Sequence, residues 1–189
     1  MNAVRILLAG LIALSVPNVT RVTAADDGHG RDRKIQANLI GYEEVPSVST
    51  PASGRFRGEI ARDEESIDYT LEFDHLVGTV QQSHIHVAQK GVNGSVVIWL
   101  CQTATTPAPA AVAGLTPTCV QGEKISGHLT AANVITAGTA SQQILAGELA
   151  EVIAAIRAGV AYVNVHATPL NPGGEIRGQV RRSDDKDKD

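Results

Sequence analysis

The chain has few aromatic residues, only two cysteines and no apolar run long enough to cross a bilayer. Aromatic residues make up 3% of its 189 residues. The run Ile6–Val16 spans eleven residues, whereas a membrane-spanning helix needs roughly 20. Arg5 precedes this run and the small residues of Val22–Ala25 follow it, which predicts a secretory signal peptide over residues 1–25. We therefore expect an exported protein, periplasmic or extracellular, with no membrane span after signal cleavage.

The sequence also lacks a clustered cationic surface. It contains 16 Lys and Arg against 20 Asp and Glu, for a formal net charge of −4. Removal of the signal takes away Arg5 and Arg21, which leaves 14 Lys and Arg against 20 Asp and Glu and a formal net charge of −6. Phosphate binding depends on grouped cations, so this balance argues against a nucleic-acid partner. We expect one domain over residues 35–181, between a charged tail at 26–34 and a disordered charged tail at 182–189.

The two cysteines, Cys101 and Cys119, are expected to form a disulfide, because an exported protein is folded in an oxidising compartment. The loop that they close is rich in Pro, Ala and Thr, and its closure is worth roughly 3 kcal/mol of stability. The weaker alternative is a thiolate metal site, for which no histidine pair lies nearby in the sequence.

Most of the domain consists of short segments in which apolar and polar residues alternate. Apolar Ile67, Tyr69, Leu71 and Phe73 alternate with polar neighbours, which indicates a strand with one buried face. Further strands are predicted at 83–88, 95–101, 124–129, 161–168 and 175–181. An Asn93-Gly94 pair suits a hairpin between the first two of these. A turn is predicted at Asn171–Gly174.

One segment has helical spacing instead. Leu149, Val152, Ile153 and Ile156 recur as on one face of a helix, and Gly159 suits a helix C-terminus. This pattern predicts a short amphipathic helix over 148–158. The expected fold class is all-β, an antiparallel β-sandwich or flattened barrel with one short helix.

Three histidines are the main functional signal. His84 and His86 are two residues apart on a predicted strand and therefore project from the same face. His166 shares a polar stripe with Asn164 and Tyr162 on a later strand. Imidazoles are good ligands for copper and zinc, and rigid strands suit such a site. If the two strands are neighbours, the three histidines converge on one patch that can hold a metal, and a nearby backbone carbonyl or Asn164 would fix a ring tautomer.

The competing interpretation is that these histidines only hydrogen-bond within the fold. The residues give no basis for choosing a fourth ligand. The candidates are His128, His75, Glu43 and Glu44. Glu175 and Arg177 share a strand face, and an ion pair or a hydrogen bond to a neighbouring strand explains them without catalysis.

Four motifs in order resemble the CHRD domain, which is repeated in animal chordin and occurs singly in bacterial secreted proteins. They are Asn38–Pro46, Ser83–His86 with Gly91–Gly94, Arg157–His166 and Gly173–Val180. The resemblance covers about residues 35–181 and implies an extracellular β-rich domain. It implies little about function, and the growth-factor binding of chordin is not carried over to a single module without its cysteine-rich repeats.

Three function classes follow. The first is an exported domain that binds copper or zinc through His84, His86 and His166. The second is an extracellular module that binds a protein or a glycan through its loops, with structural histidines. The third is a metalloenzyme like copper-zinc superoxide dismutase, which is a weak match because Val87–Thr130 supplies only His128 as a further histidine. No nucleophile motif is present and no catalytic residue is assigned.

Overall fold

The computed structural model describes residues 33–183, which form one antiparallel sheet and a short helix. The predicted signal peptide and most of both predicted tails lie outside the described residues. The nine strands are β1 (Lys34–Ile40), β2 (Ser53–Ile60), β3 (Ser66–Asp74), β4 (Thr79–Val87), β5 (Ser95–Cys101), β6 (Ile125–Thr130), β7 (Ala161–Thr168), β8 (Asn171–Gln179) and β9 (Arg181–Arg182). The helices are α1 (Ala110–Ala113), a single turn, and α2 (Leu149–Arg157). No helix within residues 33–183 is long and apolar enough to span a membrane.

The strands follow the order β5-β4-β7-β8-β1-β2-β3-β6, with β9 paired to β1. The chain after β6 then returns to β5: Val134 bridges Ile98, and the Ile135 N–H donates to the Val97 carbonyl at 2.9 Å. These contacts bring the two ends of the sheet together into a nearly closed barrel. The predicted all-β class is therefore confirmed.

Alternation places the hydrophobic core inside this barrel. On β3, Ile67, Tyr69, Leu71 and Phe73 are buried while the residues between them are exposed or half-buried. Leu149, Val152, Ile153 and Ile156 add the apolar face of α2 to the same core. The helix predicted over 148–158 is present as Leu149–Arg157, one residue shorter at each end, and Gly159 just beyond it adopts a φ of +71° that suits a left-handed cap.

The disulfide between Cys101 and Cys119 is present, with a Cα–Cα distance of 4.9 Å. It confirms the predicted bridge. It joins the end of β5 to the loop before β6. The predicted hairpin between β4 and β5 is also confirmed, with Ile85 opposite Ile98 and Val87 opposite Ser95.

The turn predicted at Asn171–Gly174 is wrong. The chain reverses at Pro169 and Leu170, and β8 already begins at Asn171. Between the pairs Ala167–Asn171 and Val165–Ile176 the register shifts, so the glycines belong to a bulge rather than a turn. Glycine suits both settings, because each requires unusual backbone angles; Gly174 has a φ of +132°.

Candidate metal centre

The three histidines lie on neighbouring strands, on the face of the sheet opposite the hydrophobic core. Strand β4 pairs with β7, so that His84 faces Asn164, His86 faces Tyr162 and His166 faces Gln82. Because side chains alternate, Ile85 between the two β4 histidines points into the core instead. The predicted same-face arrangement of His84 and His86 and the predicted convergence with His166 are both present.

The rings form a buried cluster. One potential ligand atom from each of His84, His86 and His166 lies within 4.8 Å of the other two. The ring centroid of His84 is 5.4 Å from that of His86 and 5.0 Å from that of His166. The side chains are only 2%, 7% and 6% exposed, respectively. This arrangement can hold one metal ion on imidazole nitrogens.

Hydrogen bonds orient two of the rings and leave the third without a partner. The Nδ1 of His166 lies 2.8 Å from the Pro172 carbonyl, and the Nδ1 of His86 lies 2.9 Å from the Gly94 carbonyl. When each Nδ1 carries the proton and donates to its carbonyl, each Nε2 keeps a lone pair that can bind a metal. Both nitrogens of His84 and the Nε2 of His166 are buried and have no hydrogen-bond partner.

Asn164 contacts the remaining nitrogen of His86. Its Oδ1 lies 3.0 Å from His86 Nε2. A neutral imidazole has a single N–H, so His86 donates either to Gly94 or to Asn164. Rotation of the carboxamide would present its NH₂ group to the same nitrogen. The contact expected between Asn164 and a histidine ring is therefore present.

Burial keeps the imidazoles neutral. It lowers the pKa of His84 well below its usual range, and the neighbouring His166 and His86 lower that pKa further. Burial also lowers the pKa of His86 to about 4 and that of His166 in the same direction, against the hydrogen bonds to Gly94 and Pro172, which raise them. Neutral rings leave their lone pairs available at neutral pH, as metal binding requires.

Two aromatic side chains enclose the histidines. Trp99 packs edge-on against His84, with ring centroids 4.3 Å apart. The Tyr162 ring stacks on His86 at 4.6 Å, and the guanidinium carbon of Arg177 lies 3.4 Å from the Tyr162 centroid. The buried Arg177 also donates to the Asn93 side chain and the Val92 carbonyl. It thereby fixes the loop between β4 and β5 beside the cluster.

Glu44 is a buried carboxyl group near the cluster that strand patterns do not reveal. It is 5% exposed, and its Oε1 has no hydrogen-bond partner. Burial raises the pKa of Glu44 to about 7, while the charge of Arg177 and the amide of Asn164 oppose that rise. A Cβ on Gly174 would lie only 2.3 Å from Glu44 Oε1. The glycine bulge of β8 therefore makes room for this carboxyl group.

The other candidate fourth ligands lie elsewhere. His128 is exposed and forms a 2.7 Å contact with Asp68, and His75 is exposed beside Asp74. Glu43 pairs with Lys90 at 3.2 Å. Within residues 33–183, the group of possible metal ligands contains His84, His86 and His166 and no fourth member.

Glu175 and Arg177 are both buried, as part of β8. Glu175 Oε1 accepts hydrogen bonds from the Thr50 hydroxyl at 2.6 Å and the Val77 N–H at 2.7 Å. Arg177 binds loop oxygens instead, as described above. Both residues hold loops against the sheet, in agreement with the expected structural roles.

Comparisons with known proteins give one match. No curated protein matches the chain, and no solved structure does. The model of one family, described as CHRD domain, matches residues 35–180. That range begins within β1 and ends after β8, so it includes eight of the nine strands, β1 without its first residue, and all three clustered histidines. The protein therefore belongs to the CHRD domain family.

Proposed function

We propose that this CHRD domain is an exported protein that binds copper or zinc through His84, His86 and His166. The observation that carries the proposal is the convergence of three buried imidazoles whose ligand atoms lie within 4.8 Å of one another. Three histidines with a further position for water or another ligand are a common donor set for these metals.

The unpartnered nitrogens support this proposal over a purely structural role. A buried polar atom without a hydrogen bond costs about 1–3 kcal/mol, and His84 has two such atoms. A structural histidine would be expected to use at least one of its nitrogens in a hydrogen bond. A metal ion would give one nitrogen of His84 and the Nε2 of His166 partners that the protein does not supply.

Export is part of the same proposal. The signal pattern over residues 1–25 supports it, and the Cys101–Cys119 disulfide and the CHRD domain are compatible with an extracellular protein. N-terminal sequencing of the mature protein after cell fractionation tests this part. Export is contradicted if the protein stays in the cytoplasm with Met1 or Asn2 at its N-terminus.

Metal binding is tested with protein purified without a histidine tag. We expect one equivalent of metal by elemental analysis, or one equivalent bound after the metal-free protein is titrated with Cu²⁺ or Zn²⁺. His84→Ala should weaken binding by more than about 100-fold, since loss of a direct ligand exceeds the 10–100-fold effects of supporting residues. His128→Ala, which removes an exposed strand histidine outside the cluster, is the matched control.

Two results would contradict the proposal. One is the absence of stoichiometric metal after titration of correctly folded protein. The other is an equal loss of affinity in His84→Ala and His128→Ala, which would place the metal elsewhere. In either case a search for a protein or glycan that binds the loops would be the next experiment.

A further inference from the structure

We propose that the three-histidine centre selects monovalent copper, Cu⁺, over Zn²⁺. This inference rests on the proposed function and adds the identity and charge of the ion. Three features of the site carry it: the number of donors, their charge, and the fixed charge of Arg177.

The number of donors suits Cu⁺. Zinc sites in proteins are almost always four-coordinate, and where three histidines hold the ion a water molecule or substrate is the fourth ligand, whereas Cu⁺ accepts three ligands in a plane. Among the described residues, the cluster supplies three donors. The nearby Asn164 oxygen is a neutral amide carbonyl, a donor type better suited to Mg²⁺ or Ca²⁺ than to copper or zinc. The protein thus provides the full ligand set of Cu⁺, whereas Zn²⁺ would need a water molecule or another ligand in addition.

The charge of the site also favours a monovalent ion. All three donors are neutral imidazoles, so no ligand cancels the charge of the metal. The cost of moving an ion from water into a buried site rises with the square of its charge, which penalises a dication much more than a monocation. The low exposure of His84, His86 and His166 places the ion in such an environment.

Arg177 adds a fixed positive charge to this environment. Its side chain is 1% exposed and lies on the Tyr162 ring that stacks on His86. Repulsion from Arg177 acts twice as strongly on Zn²⁺ as on Cu⁺. Glu44 is a buried acidic group whose Oε1 lies close to the Asn164 carboxamide at Gly174, and its charge would oppose this repulsion.

The composition of the chain leaves few other sites at which Cu⁺ could bind. The sequence contains a single methionine, Met1, and the two cysteines are joined in the disulfide. Once the signal is removed, the protein has no thioether, and the intact disulfide leaves no thiol. Soft sulfur ligands that would otherwise attract Cu⁺ are absent from the oxidised protein. Bound Cu⁺ must therefore lie on nitrogen or oxygen atoms.

The experiment measures the affinities of Cu⁺ and Zn²⁺ for the same metal-free, untagged protein. Cu⁺ is added without oxygen as its acetonitrile complex, in competition with bicinchoninate, so that no reductant opens the disulfide. Zn²⁺ is added in competition with a chromophoric zinc chelator. We expect one bound Cu⁺ and an affinity about 100-fold above that for Zn²⁺, an order-of-magnitude expectation from the smaller desolvation cost. Trp99, the only tryptophan, reports binding beside His84 by its fluorescence.

Variants then test the charge argument. Arg177→Gln should reduce the Cu⁺ to Zn²⁺ affinity ratio by about 10-fold, because it removes the repulsion that disfavours the dication. Should this variant fail to fold, Glu44→Gln gives the opposite test, since removal of a compensating acid should raise the ratio. His128→Ala should leave both affinities unchanged.

The outcomes separate this inference from the proposed function. If Zn²⁺ binds as tightly as Cu⁺ or more tightly, the proposed selectivity is wrong, but the proposed metal site is not contradicted. Failure of Cu⁺, Cu²⁺ and Zn²⁺ to bind folded protein would overturn both. A ratio that rises in Arg177→Gln, or falls in Glu44→Gln, would refute the charge argument.

Discussion

Strands β3 and β7 use their two faces differently. On β3, buried apolar residues alternate with exposed or half-buried polar ones, so only one face is buried. On β7, the first seven of eight residues are buried. Ala161, Val163 and Val165 face the core, whereas Tyr162, Asn164 and His166 form a polar layer beneath the loops. The first kind of strand contributes to the apolar core, whereas the second buries polar groups, which costs free energy wherever a hydrogen bond is missing, as at the Nε2 of His166.

The largest expected effect on stability comes from the buried face of β3. Leu71→Ala removes a fully buried side chain of β3. It should lower the free energy of unfolding by about 2–5 kcal/mol, through lost burial and the cavity left behind. Chemical denaturation at neutral pH measures this change. Thr70→Ala, a half-buried neighbour on the opposite face, is the control; equal losses would show that β3 is not one-sided.

A smaller effect is expected when the pH is lowered. The folded-state pKa values of His84, His86 and His166 lie below their usual value of 6.5. Between pH 6.5 and 5 the unfolded chain therefore binds more protons at these positions, and folding stability falls as the pH falls. Glu44 acts in the opposite sense, because a raised pKa makes the folded state the better proton acceptor over this range.

As the pH falls, the three histidines lower the folding stability and the one carboxyl group raises it, so the protein loses stability overall. The loss should be on the order of 1–3 kcal/mol per pH unit for the metal-free protein. Urea denaturation at several pH values measures it. Glu44→Gln should steepen the loss and His84→Leu should reduce it. A stability that is constant from pH 6.5 to 5 would mean that the polar layer is open to water.

The smallest expected effect has the opposite sign. His84→Leu replaces a ring with two unpartnered buried nitrogens by an apolar side chain of similar size. In metal-free protein it should raise the free energy of unfolding by about 1 kcal/mol, since unsatisfied buried polar groups are costly. The matched change His128→Leu should not stabilise, because that exposed ring contacts Asp68 at 2.7 Å. Destabilisation by His84→Leu would show that His84 is needed for the fold.

The sequence predicted those parts of the site that follow from local periodicity. A period of two placed His84 and His86 on one face, and the same rule grouped Asn164 with His166. The strand at 161–168 was predicted with the bounds that the structure has. The two cysteines of the disulfide followed from the predicted compartment and from there being only two in the chain.

Contacts that depend on loops, or on which side chains of neighbouring strands meet, were not predictable in the same way. Glu44 was one of several possible ligands, and its position beside Asn164 depends on the β8 bulge at Gly174. That bulge was predicted as a turn, because Pro and Gly occur in both. The stacking of Arg177 on Tyr162 joins strands β8 and β7, and the contact of Trp99 with His84 depends on the pairing of β4 with β5. The predicted hairpin made β4 and β5 neighbours, but it did not indicate which side chains meet, because the register between these strands shifts.

The return of the chain to β5 also bears on self-association. An uncovered outer strand offers its free N–H and C=O groups to other copies, which is a common route to aggregation. Here Val134 and Ile135 cover part of the outer edge of β5. Just beyond the strand, Gln102 bridges Thr118 next to the disulfide. The covalent link holds the segment at Thr118 beside the end of β5. The Val97–Ile98 part of β5 is thus unavailable for pairing with a second molecule, and Trp99 of the same strand covers His84 on β4.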